Sequence, residues 1–180
     1  MSPRERDMLA LVADGLTAMR VLLAVAVVPV LGSGRTTMAA VLVGSAWLSD
    51  FFDGRAARAS ATPTRLGELD LWADTLVGAG AVLGFVAAGR LSLPMGVGVV
   101  VVLLAAFALT GNEAMSMLLQ ATGYGLVLWR TGRDGHTGSL VWLLAVIGII
   151  AIVNRRVVWE RSLPTFLAGV AAVLRGRPSH

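Results

Sequence analysis

Hydrophobic positions along the chain gather into six runs: about Leu16 to Leu31, Met38 to Phe52, Leu69 to Ala88, Leu91 to Leu109, Ala114 to Trp129 and Ser139 to Val153. They lack the alternation of barrel strands, and an open sheet edge cannot satisfy its backbone in lipid, so the pattern predicts helices. A spanning helix needs about 20 mostly apolar residues to cross a hydrocarbon core of roughly 30 Å, and these runs approach or meet that length. Breaks with turn chemistry fall at Gly32-Ser33-Gly34, around Pro63, at Gly89-Arg90, at Gly111-Asn112 and from Thr131 to Gly138. The expected fold is all-α, a polytopic bundle of six transmembrane helices over residues 16–154, flanked by interfacial segments at 1–15 and 155–180. Within the second segment, Thr165 to Leu174 is too short to cross; it is expected to lie along the interface or cover the bundle, with a frayed tail as the alternative.

Composition strengthens this picture. Of 180 residues, 56% are hydrophobic and 14% charged, with a mean hydropathy of +0.77, which excludes an ordinary water-soluble domain. Cysteine is absent, so disulfides and thiolate metal sites are excluded. The net charge of +4 comes from arginine alone, because the chain has no lysine. With six spans, ten arginines share the side of the termini (Arg4, Arg6, Arg55, Arg58, Arg65, Arg155, Arg156, Arg161, Arg175 and Arg177) against Arg35, Arg90, Arg130 and Arg133 opposite. Positively charged loops stay in the cytoplasm, so both termini are expected there. Arginines scattered between apolar runs do not make a nucleic-acid footprint, and no nucleic-acid partner is expected. The first run lacks a small-residue cleavage site, so a retained helix is expected in place of a signal peptide. Gly80 and Gly84 form a small-xxx-small pair that suits internal packing or a face for a second copy.

Candidate chemistry concentrates where the second run ends and the third begins. Asp50 and Asp53 share a helix face at the end of one span, and Asp70 and Asp74 share a face at the start of the next. A short loop folds one face against the other. Each carboxylate at membrane depth costs on the order of 2.5 to 3.5 kcal/mol at the centre and less near the interface, so something must neutralise them. Arg55, Arg58 and Arg65 supply at most three positive charges against these four aspartates and Glu68. A divalent ion supplies the remainder, and an oxygen-only ligand set points to Mg²⁺ or Mn²⁺. An acidic cluster holding such ions is what a diphosphate substrate needs.

The residues Asp50, Asp53, Gly54, Ala57, Arg58, Gly67, Asp70 and Asp74 stand as Asp-x2-Asp-Gly-x2-Ala-Arg-x8-Gly-x2-Asp-x3-Asp. This pattern resembles the signature of the CDP-alcohol phosphatidyltransferase family. It departs in one place, with two residues between Gly67 and Asp70 where the family usually has three. The resemblance implies that Asp50, Asp53 and Asp70 hold metal ions, Mg²⁺ or Mn²⁺ and two in number. It implies that Asp74 completes the cluster and acts as general base on the acceptor hydroxyl. Gly54 would leave room for the nucleotide, Ala57 would keep that wall low, Arg58 would contact the phosphates, and Gly67 would allow close packing or substrate approach. The family uses a membrane lipid donor, CDP-diacylglycerol, and a small alcohol acceptor; the resemblance also suggests a homodimer and a bacterial cell membrane. A second likeness lies in Leu16-Thr17-Ala18-Met19-Arg20, which is similar to the Leu-Thr-x-x-Arg opening of many members and would bring Thr17 and Arg20 to the donor phosphates. The alternative for Arg20 is a side chain snorkelling to the headgroups. Asp14 stands where an asparagine is usual.

Around the acceptor, Thr64-Arg65-Leu66-Gly67 with Ala73-Asp74 looks more like enzymes that make phosphatidylglycerol phosphate than like inositol-phosphate users. Glycerol 3-phosphate is therefore the expected acceptor. Leu71 and Thr75 stand where such enzymes commonly have proline and lysine, and the 111–116 loop offers Glu113 and no cation, so no acceptor-binding residue is assigned. The rival classes are an intramembrane prenyltransferase, which would have two separated aspartate clusters, and an inactive or non-enzymatic membrane protein that binds a cation. His136 falls in a far-side loop and His180 is terminal, so neither is expected to be a ligand; Met115, Met117 and the tryptophans read as packing or interfacial anchors.

Overall fold

A computed structural model describes residues 3–60, 63–155, 159–160 and 163–174. Among these residues the chain is all-helical: α1 (Pro3–Gly32), α2 (Thr36–Ala59), a 3-10 turn (Gly67–Leu69), α3 (Asp70–Ala87), α4 (Leu93–Thr110), α5 (Glu113–Arg133), α6 (Thr137–Val153) and α7 (Leu163–Leu174). Each of the six apolar runs lies in its own helix, and several helices outrun their runs. A helix satisfies its own backbone, so it continues past the apolar stretch until turn residues stop it. The turns after α1, α3, α4 and α5 contain Gly34, Gly89, Gly111 and Gly135, all with φ between 63° and 77°, a region open to glycine and strained for other residues.

Three helices, Asp7–Gly32, Gly67–Ala87 and Leu93–Thr110, are long and apolar enough to cross a membrane, and Thr137–Val153 and Leu163–Ala172 are apolar but shorter. The protein is an integral membrane protein. Helices α2 and α5 have the length but carry too many polar side chains to qualify by composition. Some of those polar groups point inward, Ser49, Asp53 and Ser116 being buried, while Arg55, Arg58 and Glu113 are exposed at the helix ends.

The core is built by α1 packing against both α2 and α3, with α5 closing the other side of α3. Val27, Leu31, Ala39, Ala40, Val43, Ala81, Phe85, Val127 and Leu143 form its largest cluster. Small residues set the spacing. A Cβ on Gly80 would collide with the Ala24 carbonyl and one on Gly84 would stand 2.7 Å from Leu31 Cβ, so this pair seats α1. On α3's other side, a Cβ on Gly78 would come 2.7 Å from the Gln120 Cα, and Gly123 abuts the Gly78 carbonyl. The glycines of α3 thus serve packing within the chain, the first of the two uses open to Gly80 and Gly84.

Both terminal segments contain helix. Helix α1 is continuous from Pro3, so residues 3–15 extend the first span's own helix. The C-terminal stretch folds as α7 and covers the bundle: Phe166 and Val170 pack with Phe107, Ala114 and Met115. It is pinned where Asn112 caps α5 by accepting from the Ala114 N–H at 3.0 Å and donates to the Gly169 carbonyl at 3.2 Å. Arg156, Arg161, Arg175, Arg177 and His180 lie outside the described residues.

If the α3–α5 approach requires glycine, Gly78→Val lowers stability by about 1–3 kcal/mol through overpacking. Gly125 on α5 faces open space, so Gly125→Ala is neutral or stabilises by up to about 1 kcal/mol. Thermal unfolding in detergent checks both, and equal stability of the two variants contradicts the packing described.

Candidate metal centre

The last turns of α2 carry Asp50, Asp53, Gly54, Ala57 and Arg58 to the end of the bundle where α3 starts with Asp70 and Asp74. Helix α1 crosses beside them and contributes Ala13, Asp14, Thr17 and Arg20. The four aspartates meet at one point, and the group at that point is Arg20, whose side chain is completely buried. Its Nη1 pairs with Asp50 Oδ1 at 3.1 Å and with Asp74 Oδ1, and its Nη2 pairs with Asp53 Oδ2 and Asp70 Oδ1. Exposure grades outward through the cluster, from 4% for the Asp53 side chain to 18% for Asp74, 39% for Asp70 and 48% for Asp50. The carboxylates therefore form a funnel, deepest at Asp53.

This disposes of a snorkelling Arg20. It also corrects the source of the neutralising charge, which the sequence assigns to Arg55, Arg58 and Arg65. All three are exposed, and none is ion-paired among the described residues. Arg55 lies 4.3 Å from the Phe51 ring centroid, and the Arg58 guanidinium covers Gly54, where a Cβ would stand 3.3 Å from its Nη1. The cation inside the cluster comes instead from α1, 30 residues before Asp50 in the chain.

Beside the carboxylates is a cavity of about 140 Å³. Ala13 and Thr17 of α1, Asp53, Gly54 and Ala57 of α2, and Thr64, Gly67 and Asp70 of the following stretch line it. Thr17 donates to the Ala13 carbonyl at 3.2 Å, and its hydroxyl lies 3.5 Å from Asp53 Oδ2. Of the residues singled out in the sequence, Thr17, Gly54, Ala57 and Gly67 thus share one wall with Asp53 and Asp70, while Arg58 stands over Gly54. The short Gly67–Asp70 spacing has a physical account: residues 67–69 form a 3-10 turn with three residues per turn, which keeps Gly67 and Asp70 on one face. A Cβ on Gly67 would strike the Thr64 hydroxyl, so glycine is required for this close turn.

Asp14, which stands where an asparagine is usual, has partners that the sequence does not display. Its carboxylate accepts from the backbone N–H of Arg65 at 3.2 Å and of Leu66 at 2.9 Å, tying the α2–α3 linker to α1 just before Gly67. An acid one turn before Thr17 was the available signal, but the partner is backbone, which sequence does not display. Thr75 is completely buried and faces α5, where it meets the Ser116 hydroxyl; Gln120 donates to Ser116 at 3.0 Å. Tyr124 donates to the Asp74 carbonyl at 3.3 Å and fixes the helix at that residue.

Asp50, Asp53 and Asp70 each offer a carboxylate oxygen, all within 4.8 Å of one another, a spacing that can hold a metal ion. Asp53 Oδ1 is buried and lacks a hydrogen-bond partner of good geometry, so it is an acceptor open to an ion. Four carboxylates and one guanidinium leave three unbalanced negative charges in a region of low dielectric. Hard oxygen donors with excess negative charge suit Mg²⁺ or Mn²⁺. Asp74 is paired to Arg20 but stands outside the close trio, which separates it from the three ligand candidates.

Fold and site together define an all-helical membrane protein with a cluster of carboxylates, able to hold a cation, where three helices meet. The chain belongs to the CDP-alcohol phosphatidyltransferase family, whose model matches residues 10–174. No curated protein and no solved structure matches it. The family is one of transferases of phospholipid synthesis that use CDP-alcohol donors and alcohol acceptors.

Loss of the linker's two hydrogen bonds to a charged acceptor is worth about 1.5 kcal/mol in local opening. Asp14→Ala is therefore expected to speed tryptic cleavage after Arg65 about tenfold, while Asp14→Asn, which keeps an acceptor, falls between. Unchanged cleavage in both variants contradicts the role given to Asp14.

Proposed function

We propose that this protein transfers a phosphatidyl group from CDP-diacylglycerol to a small alcohol, with glycerol 3-phosphate the best-supported acceptor, and releases CMP. The observation that carries the reading is the convergence of Asp50, Asp53 and Asp70 within 4.8 Å of one another beside a cavity walled by Gly54, Ala57 and Gly67. Six spans, with the termini and the site on the cytoplasmic side, suit this reading. The donor's tails then stay in the bilayer while its cytidine reaches the mouth of the cluster.

Asp50, Asp53 and Asp70 would hold two Mg²⁺ or Mn²⁺ ions, which when bound polarise the diphosphate and neutralise charge on the departing CMP. Asp74 takes the proton of the acceptor hydroxyl as its oxygen bonds to the phosphatidyl phosphorus and the bond from that phosphorus to CMP breaks. Tyr124 and Arg20 keep Asp74 in place for that transfer. Thr17 and Arg58 flank the cavity where the phosphates would lie, and the missing side chains at Gly54 and Gly67 leave the nucleotide room. The exposed, unpaired guanidinium groups of Arg58 and Arg65 at the rim favour an anionic acceptor over a neutral one.

Purified protein given CDP-diacylglycerol, Mg²⁺ or Mn²⁺ and a panel of alcohols is expected to release CMP fastest with glycerol 3-phosphate. No CMP with any acceptor removes the enzyme assignment, and another preferred alcohol removes glycerol 3-phosphate. Asp74→Asn should lower kcat by about 10²–10⁴-fold, as loss of a general base does. Asp70→Asn should abolish turnover at low metal concentration, and full activity in that variant contradicts the metal-site assignment.

A further inference from the structure

Arg20 is not among the residues that line the cavity; it sits among the carboxylates beside it. Each of its terminal nitrogens bridges one aspartate of α2 and one of α3: Nη1 joins Asp50 to Asp74, and Nη2 joins Asp53 to Asp70. The side chain is wholly buried, its Nε has no partner, and the oxygens it occupies on Asp50, Asp53 and Asp70 belong to the three residues able to hold a metal ion. Without it, four carboxylates would face one another at the ends of two helices with nothing between them. Like charges a few ångströms apart in a poorly solvated site repel strongly.

We propose that Arg20 is the site's built-in cation: it holds the four aspartates together when no divalent ion is bound and competes with those ions for the same carboxylates. The inference rests on reading the cluster as a metal site. A guanidinium and a divalent ion cannot share the ring without repelling each other, so ion binding must loosen Arg20 from Asp50, Asp53 and Asp70. The metal-free site is thereby kept assembled, and metal affinity is held below what the four carboxylates alone would give.

The test uses the full chain in detergent, with Mn²⁺ alone as probe and no activity readout. In EDTA, Arg20→Met is expected to lower the Tm by at least about 3 °C. Free Mn²⁺ followed by electron paramagnetic resonance is expected to show about tenfold tighter binding in that variant than in wild type. Arg20→Lys keeps one charge but cannot bridge both pairs, so its Mn²⁺ affinity should fall between. An Arg20→Met protein that folds only with Mn²⁺ present supports the proposal, and one that folds in neither condition leaves Arg20→Lys to decide it. Unchanged Tm together with unchanged or weaker Mn²⁺ binding in the variants overturns it, because an arginine that serves only the donor phosphates would leave both alone. Wild-type protein that binds no Mn²⁺ overturns the metal-site reading itself.

Discussion

Four carboxylates drawn to one point inside a membrane protein repel one another, and the chain holds them there by placing a buried guanidinium at their centre. Each aspartate reaches Arg20 from a different position: Asp50 and Asp53 from the end of α2, Asp70 and Asp74 from the start of α3. The interaction dictates local structure on every side. Helix α2 must run past the apolar stretch far enough to include Asp53, α3 must open with an aspartate, and α1 must cross close enough for Arg20 to reach both. One guanidinium is set against four carboxyl groups, and three of these, Asp50, Asp53 and Asp70, are spaced so that they could hold a metal ion.

Close crossing is made possible by small residues. Gly80 and Ala24 let the α1 and α3 backbones touch, and Gly78 with Gly123 do the same for α3 and α5. At the site the same economy of side chains has another effect, since Gly54, Ala57 and Gly67 leave a cavity where larger residues would fill it. Asp14 then ties the linker to α1, and Tyr124 braces Asp74 from α5. The scaffold around the acids is therefore held from α1, the linker and α5 at once.

Much of this was legible in the sequence. The six apolar runs each became a helix because period and length report burial directly, and the four aspartates of the motif stand together because the end of α2 and the start of α3 lie at the same end of the bundle. Other features were hidden for physical reasons. The polarity of α2 and α5, which keeps them from qualifying as spans by composition, reflects inward-facing groups whose partners lie on distant helices. Arg20 read equally well as a phosphate ligand or a snorkelling side chain, because an ion pair across 30 to 54 residues leaves no local pattern. The linker arginines looked like the natural counter-ions since they are near in sequence, yet they face solvent. Thr75 sits beside Asp74 in the chain, but one step along a helix turns a side chain by about 100°, and it meets Ser116 of α5.

The central claim is that the acidic side chains at these helix ends form one ion-binding pocket. Anomalous diffraction from crystals soaked in Mn²⁺ tests it most directly. The account predicts a manganese peak in contact with carboxylate oxygens of Asp50, Asp53 and Asp70, lost in Asp53→Asn. Manganese bound elsewhere, or no peak at this cluster at millimolar Mn²⁺, would contradict it.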